Sequence, residues 1–205
     1  MLLDVRPSFY AIVREISGAT LEDIRRFKDN GGFNDDWELA RAAAAWVTAG
    51  RPDIFGRVAS WEDVVMLCGG DPGDLSARCS ALYRGGYWKK ELPLVDSPLL
   101  RGLAATWRVV ACTGRDGWEL ARAEELLDFT FHDATTRDIV RKPDADALLR
   151  LVPEGTARVV MFGDSQDDRL TVENARKVTR VPIEYRHTTT SPADPLRALL
   201  ERNDG

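Results

Sequence analysis

Three short polar segments carry the residue types that phosphoryl chemistry uses. Thr113-Gly114-Arg115 follows one apolar run, the hexapeptide Gly163–Asp168 follows another, and Lys142-Pro143 lies between them. A hydroxyl group and backbone N–H groups hydrogen-bond phosphate oxygens, and an ammonium group neutralises their charge. Carboxylates hold Mg²⁺, a hard cation that prefers oxygen ligands. Together the three segments predict a phosphate site with Mg²⁺ as its cofactor.

Each segment also has a purely structural explanation. A Thr-Gly pair after a strand is common in turns, a lysine before proline is usually a solvated charge, and an aspartate after a strand can cap the next helix. The order and spacing of the three segments are more specific than any one of them. The candidate site residues are Thr113, Gly114, Arg115 and Lys142 for the phosphate, and Asp164 and Asp168 for the metal.

The second half of the chain alternates apolar strands with helices. The pattern predicts strands over 108–112, 129–132, 158–162 and 181–185, and helices over 118–127, 144–151, 168–177 and 196–201. Strands that alternate with helices indicate an α/β fold, with a parallel sheet covered by helices on both faces. Ligands of such sheets bind outside the carboxyl ends of the strands, which is where the polar segments lie.

The first half is helical throughout. Pro7 suits a first helical position, Thr20 with Asp23 forms a capping box, and Gly85-Gly86 ends the last helix. A length of 205 residues with 44% hydrophobic residues suits one domain that carries a smaller lobe. We predict an all-helical lobe over 7–95, inserted into an α/β core formed by 1–6 and 96–205.

Composition limits the partners. The net charge of −5 argues against nucleic acid, and no apolar run approaches the roughly 18 residues of a membrane span. The first residues show no export signal, so we predict a cytoplasmic protein without a membrane partner. The cysteines lack metal-site spacing and are expected to be free thiols. We expect a monomer or a homodimer.

The polar segments resemble the motifs of a known family. An apolar strand that ends in Thr113, a later Lys142-Pro143, and the GDSxxD segment Gly163–Asp168 look like the second, third and fourth motifs of the haloacid dehalogenase-like hydrolases. The helical half resembles the cap that subfamily I of this family inserts between its first and second motifs. This resemblance implies a Rossmann-like core with a helical cap. It also implies a Mg²⁺-dependent phosphatase that acts on a small phosphorylated metabolite, although dehalogenase or phosphonatase chemistry on the same scaffold stays open.

The resemblance also implies substrate contacts from the cap. Lys28, Asn34 and Asp35 flank the Gly31-Gly32 turn and are the predicted contacts. The alternative is that the glycines simply end one helix and that Asp35 or its neighbour caps the next.

The first motif of the family, DxDGT(L/V)xD, is matched only at its end. Asp4 matches its last aspartate, whereas the nucleophile and the general acid–base aspartate would precede Met1. The first core strand, which in this family would lie between the strands ending at Thr113 and Asp164, is therefore expected to be missing. Efficient turnover is not expected from the chain as it stands. A longer natural protein is the favoured explanation. A non-catalytic binding or interaction protein and a substitute nucleophile, such as Asp4, are the alternatives.

Overall fold

The chain passes from one compact unit into a second and back. A computed structural model describes residues 2–33, 35–188 and 191–201. One unit comprises the residues up to Asp4 together with those from Leu92 onward, and the other is Val5–Glu91. Asn34, one of the predicted substrate contacts, lies outside the described residues.

The Val5–Glu91 unit is helical. Its α-helices are α1 (Arg6–Ser17), α2 (Leu21–Asn30), α3 (Asp36–Thr48), α4 (Trp61–Cys68) and α5 (Ser76–Arg84), followed by a 3₁₀-helix over Tyr87–Lys90. The side chains of Thr20 and Ser60 cap α2 and α4 by accepting hydrogen bonds from the third backbone N–H of each helix. Reciprocal capping of this kind satisfies amide groups that a helix start would otherwise leave unpaired.

Aromatic rings fill the centre of the helical unit. Phe27 makes edge-to-face contacts with Phe33, Trp46 and Phe55, at centroid distances of 5.1, 5.5 and 5.0 Å. Edge-to-face contacts suit the ring quadrupole and add to the burial of apolar surface. Phe27 and Phe33 are almost fully buried, which fixes the two ends of the Gly31-Gly32 turn.

The other unit combines strands and helices. Its strands are β1 (Leu3–Asp4), β2 (Leu92–Pro93), β3 (Ala111–Cys112), β4 (Ala134–Thr135), β5 (Val159–Gly163) and β6 (Ile183–His187). Its helices are α6 (Ser97–Ala104), α7 (Gly117–Leu127), α8 (Asp146–Leu149), α9 (Gln166–Val178) and α10 (Ala193–Glu201). No helix in the described ranges is both long and apolar enough to cross a lipid bilayer.

The strands pair in three two-stranded sheets. β1 and β2 are antiparallel, whereas β3 pairs with β4, and β5 with β6, in parallel. The mixed α/β class and the parallel pairing of the later strands are therefore confirmed. Within the described residues, however, β3 does not pair with β5, so the strands do not form one continuous sheet.

The strand predicted over 129–132 was placed too early. The observed strand β4 begins at Ala134. Phe129 and Phe131 instead pack edge to face at a centroid distance of 5.4 Å, and Phe129 is buried. The apolar residues that suggested a strand therefore serve packing, and the ladder with β3 becomes regular only after them.

A small apolar core holds β5 and β6 against α8 and α9. Its buried members are Leu148, Met161, Val172, Ala175 and Ile183. Because β5 and α9 meet in this core, the loop between them is fixed at both ends. That loop contains the GDSxxD segment.

Candidate functional site

The loop after β5 is organised around Asp168. The Ser165 hydroxyl accepts a hydrogen bond from the Asp168 backbone N–H at 3.1 Å. In return, Asp168 Oδ2 accepts from the backbone N–H groups of Asp164 and Ser165, each at 3.2 Å. This is a capping box extended by one further amide, and it ties the whole loop to the first turn of α9.

Only glycine fits before this loop. A Cβ atom on Gly163 would lie 2.5 Å from Asp168 Cβ and 2.7 Å from its Cγ. The missing side chain therefore makes room for Asp168 to fold back over the loop. The Thr188 backbone N–H donates to the Gly163 carbonyl oxygen at 2.9 Å, which keeps the backbone of Gly163 in register with β6.

Lys142 and Asp168 form an ion pair that is largely buried. Lys142 Nζ donates to Asp168 Oδ1, and the two side chains are 15% and 6% exposed. The next residue, Pro143, accepts a hydrogen bond at its carbonyl oxygen from Asn174 Nδ2 of α9, at 2.9 Å. The ion pair and this hydrogen bond fasten the Lys142-Pro143 segment to the same helix that carries Asp168.

The Asp168 carboxylate is stabilised in its charged form. Burial raises the pKa of this carboxyl group, but the Lys142 ammonium and the hydrogen bonds from Ser165 outweigh burial, and the net pKa is lowered. A buried carboxylate with a cation and amide donors stays ionised at neutral pH. Asp168 is therefore a negatively charged carboxylate, held in contact with the Lys142 ammonium group.

This lowered pKa predicts how stability depends on pH. The folded protein binds the Asp168 proton less tightly than the unfolded chain does. The resulting stabilisation is complete above the ordinary aspartate pKa of 3.8. It is lost as the pH falls from there through the lower pKa of the folded state. We expect the loss of unfolding free energy between about pH 5 and pH 2 to be smaller in Asp168→Asn than in the unmodified protein, by urea unfolding.

The matched control is Asp167→Asn, which removes an exposed carboxylate from the same helical turn. It is expected to keep the pH dependence of the unmodified protein. Equal pH dependence in Asp168→Asn and the unmodified protein would contradict the assignment of a stabilising charge to Asp168.

The end of β3 lies near this ion pair. Burial raises the pKa of the Cys112 thiol to about 11, while the Lys142 charge lowers it and the Asp168 charge raises it. A thiol with this pKa is protonated at pH 7. Cys112 packs against the apolar core of β5, β6, α8 and α9, and its thiol donates to the Ala147 carbonyl oxygen at 3.4 Å.

Thr113 continues directly from Cys112 into a tight turn. Its hydroxyl oxygen accepts from the Arg115 backbone N–H at 3.2 Å, and its own N–H donates to the Thr135 carbonyl oxygen at 3.0 Å. The Arg137 N–H donates to the Arg115 carbonyl oxygen at 3.0 Å. The structure thus holds the Thr113–Arg115 turn against β4, with Gly114 exposed at its tip.

Tyr185 was missed in the sequence and lies beside the same loop. Its hydroxyl donates to the Ser165 carbonyl oxygen at 3.4 Å. Burial raises the pKa of this phenol, and the charges of Asp168 and Asp164 raise it further. Tyr185 lies inside β6, two residues before its end, so a rule that selects the residues after each strand does not find it.

Within the described residues, few side chains are available to bind the predicted metal ion. Among residues 2–33, 35–188 and 191–201, no three His, Cys, Asp or Glu side chains converge to hold a metal ion. Both oxygens of Asp168 already accept hydrogen bonds from protein donors, whereas Asp164 is exposed. Mg²⁺ in proteins commonly keeps several waters and takes one or two carboxylates together with substrate phosphate. Asp164 fits a site of that kind, which depends on a bound phosphate.

The predicted substrate contacts of the helical unit have structural partners there. Lys28 Nζ lies 3.0 Å from Asp36 Oδ1, and Asp35 Oδ1 accepts from the N–H groups of Trp37 and Glu38 at 2.7 and 3.1 Å. Asp35 thus caps α3. Contacts of Lys28 and Asp35 with substrate stay predictions.

Comparison with known proteins gives a structural match. No protein-family model matches the chain, and no curated protein matches it in sequence. Among solved structures, the chain is similar to phosphatase Tt82 from Thermococcus thioreducens, with a TM-score of 0.77 and 25% sequence identity. The match covers 98% of this chain and 95% of that chain. The mixed α/β fold described above is thus shared with a phosphatase over nearly the whole length.

Proposed function

We propose that this protein is a Mg²⁺-dependent phosphatase of the haloacid dehalogenase-like type, acting on a small phosphorylated metabolite. The observation that carries the proposal is the largely buried Lys142–Asp168 ion pair, whose carboxylate also accepts a hydrogen bond from the backbone N–H of Asp164. The similarity in fold to a phosphatase supports it.

The binding roles follow from the donors available. The Thr113 hydroxyl accepts from the Arg115 N–H, and its own hydrogen is suited to a phosphate oxygen. The Lys142 ammonium has three N–H donors, of which one points to Asp168. The others can bind phosphate, and Asp168 keeps the ammonium group in place. The N–H of Gly114 and the guanidinium group of Arg115 are further candidates on the same turn.

Asp164 is the proposed carboxylate ligand of Mg²⁺. The cation, when bound, would neutralise charge on the phosphoryl oxygens. Asp168, proposed from the sequence as a second ligand, is better placed to hold Lys142 and the loop amides. Lys28, Asn34 and Asp35 of the helical unit remain proposed contacts with the rest of the substrate.

A non-catalytic phosphate-binding protein is the second candidate. Hydrolysis through a phospho-enzyme needs a carboxylate with a free oxygen to attack phosphorus. Asp168 does not meet this need, because Lys142 and two backbone amides occupy its oxygens. The occupied oxygens of Asp168 therefore favour a role in holding Lys142 and the loop, and this observation supports the non-catalytic candidate.

Two measurements on the unmodified protein separate these candidates. Calorimetric titration with inorganic phosphate, with and without Mg²⁺, tests binding, and release of p-nitrophenol from p-nitrophenyl phosphate tests turnover. Mg²⁺-dependent binding with turnover supports the phosphatase, whereas the same binding without turnover supports the phosphate site alone. No binding at millimolar phosphate would overturn both.

Asp164→Asn tests the metal assignment. We expect this variant to lose about tenfold in phosphate affinity in the presence of Mg²⁺, or about 1.4 kcal/mol, and to change little without Mg²⁺. The reason is that an amide oxygen is a weaker ligand for Mg²⁺ than a carboxylate is. Asp167→Asn, which removes a neighbouring exposed charge, is the control. An equal loss in both variants would mean that general charge, rather than a ligand, is responsible.

A further inference from the structure

A cavity lies at the amino ends of β5 and β6, opposite the end at which β5 leads into the Asp168 loop. Its volume is about 400 Å³, and its lining includes Arg158, Arg176, Val181, Pro182 and Ile183. This volume is within the range of small-molecule sites. From Val159 to Gly163 the strand advances about 13 Å at roughly 3.3 Å per residue, so the cavity is separate from the loop that holds Asp164.

Arg176 is held in place by the backbone. Its Nε and Nη2 atoms both donate to the Ile183 carbonyl oxygen, at 2.9 and 2.6 Å. A guanidinium group carries five N–H donors in a rigid plane, so donors remain for a ligand. Fixing the group by a neutral carbonyl oxygen leaves its positive charge uncompensated.

Arg158 is held by an aromatic ring. Its guanidinium carbon lies 4.7 Å from the centroid of the Trp107 ring. Stacking on a ring uses the face of the guanidinium group and leaves the N–H groups in its plane available for the oxygen atoms of an anion. Like Arg176, Arg158 is thus positioned without a counter-charge.

These two arginines differ from most others in the α/β unit. The arginines of this unit that form ion pairs with carboxylates are Arg101, Arg108, Arg122, Arg137, Arg169, Arg186 and Arg197. In the part of the chain that the structure describes, neither Arg158 nor Arg176 has such a partner. Glu184, the one acidic residue of the lining, accepts instead from Arg186 Nε at 2.7 Å.

We propose that this cavity is a second anion site, which binds the phosphate group of a small molecule through Arg158 and Arg176. A guanidinium group binds phosphate with two parallel N–H···O bonds, whereas a lysine ammonium group acts as a point charge. Two fixed guanidinium groups are therefore suited to phosphate. Val181, Pro182 and Ile183 provide an apolar wall for the remainder of the ligand. The site does not depend on the phosphatase proposal, because it shares no residue with the site around Asp168.

Amide chemical shifts of the ¹⁵N-labelled full chain test the proposal residue by residue. Inorganic phosphate is the probe, titrated at constant ionic strength, because it cannot be hydrolysed. We expect saturable shifts at the N–H groups of Val159, Val181 and Ile183. Shifts at Gly114 and Ser165 report on the first site, so failure at one site is distinguishable from failure at the other.

Substitutions identify the group responsible. Arg158→Gln is expected to weaken phosphate binding at the cavity about tenfold, the size of a lost charged hydrogen bond, and Arg158→Lys is expected to restore it only in part. Arg180→Gln removes the same charge beside the cavity without lining it, and is expected to have no comparable effect. Absence of saturable shifts at the cavity, or equal losses in Arg158→Gln and Arg180→Gln, would overturn the proposal.

Discussion

Lys142→Met is expected to lower the unfolding free energy by about 3 kcal/mol and to abolish phosphate binding. Removal of one member of a buried ion pair leaves the other charge in a medium that solvates it poorly, and about 3–5 kcal/mol is typical. The lower end applies because Lys142 keeps 15% of its side-chain surface exposed and because two backbone amides still serve Asp168. Urea unfolding at pH 7 measures the change.

Two further variants show whether the ion pair is the cause. Lys177→Met removes a lysine that is exposed and bonded to the neutral Asn174 side chain, and a change within about 0.5 kcal/mol is expected. In the double variant Lys142→Met with Asp168→Asn, no charge is left unpaired. Its loss of unfolding free energy should therefore be smaller than the sum of the losses in the two single variants. Strict additivity would contradict a direct interaction between the two residues.

The sequence was informative where local rules decide the outcome. The apolar run before Gly163 predicted a strand over 158–162, and β5 is observed over Val159–Gly163. The parallel pairing of β5 with β6 follows from the connecting helix, since a strand, a helix and a strand in succession favour a right-handed parallel crossover. Local pattern and short-range topology are enough for these elements.

The sequence placed Lys142 and Asp168 in one site but did not predict that they pair with each other. Lys142 and Asp168 are 26 positions apart, and nothing in either segment shows that one neutralises the other. The sequence therefore led to Asp168 as a metal ligand, whereas the folded chain surrounds its oxygens with N–H donors. The capping geometry of α9 decides that Asp164 is exposed and Asp168 buried. This geometry is visible only in the structure.

The same limit applies to the sheet. Alternation of strands and helices predicted one parallel sheet, but the pairing partner of each strand is a long-range property. Among the described residues the parallel strands form two separate pairs, β3 with β4 and β5 with β6. The two pairs nevertheless meet in one core, because Cys112 of β3 packs against the apolar cluster that β5 and β6 share with α8 and α9.

Asp168 accepts the hydrogen bonds that hold Lys142 and the loop together. Its side chain fits because Gly163 has no Cβ atom. A Cβ atom at position 163 would lie 2.5 Å from Asp168 Cβ and 2.7 Å from both Cγ and Oδ2. These atoms cannot move away easily, because Lys142 and the loop amides hold the carboxylate and Cβ is attached to the backbone of α9. Overpacking of a rigid neighbour of this kind costs about 1–3 kcal/mol.

Gly163→Ala is accordingly expected to lower the unfolding free energy by about 2–3 kcal/mol and to weaken phosphate binding, because Asp168 must rotate away from Lys142. Gly114→Ala is the control for stability, since its Cβ would meet no atom within 4 Å, and a change of less than about 0.5 kcal/mol is expected. The cause is tested by repeating Gly163→Ala in an Asp168→Gly background, where the obstructing Cβ atom and the carboxylate are both absent. If the clash with Asp168 is responsible, the added alanine is nearly neutral there; an undiminished loss would assign Gly163 to the backbone pairing with β6 instead.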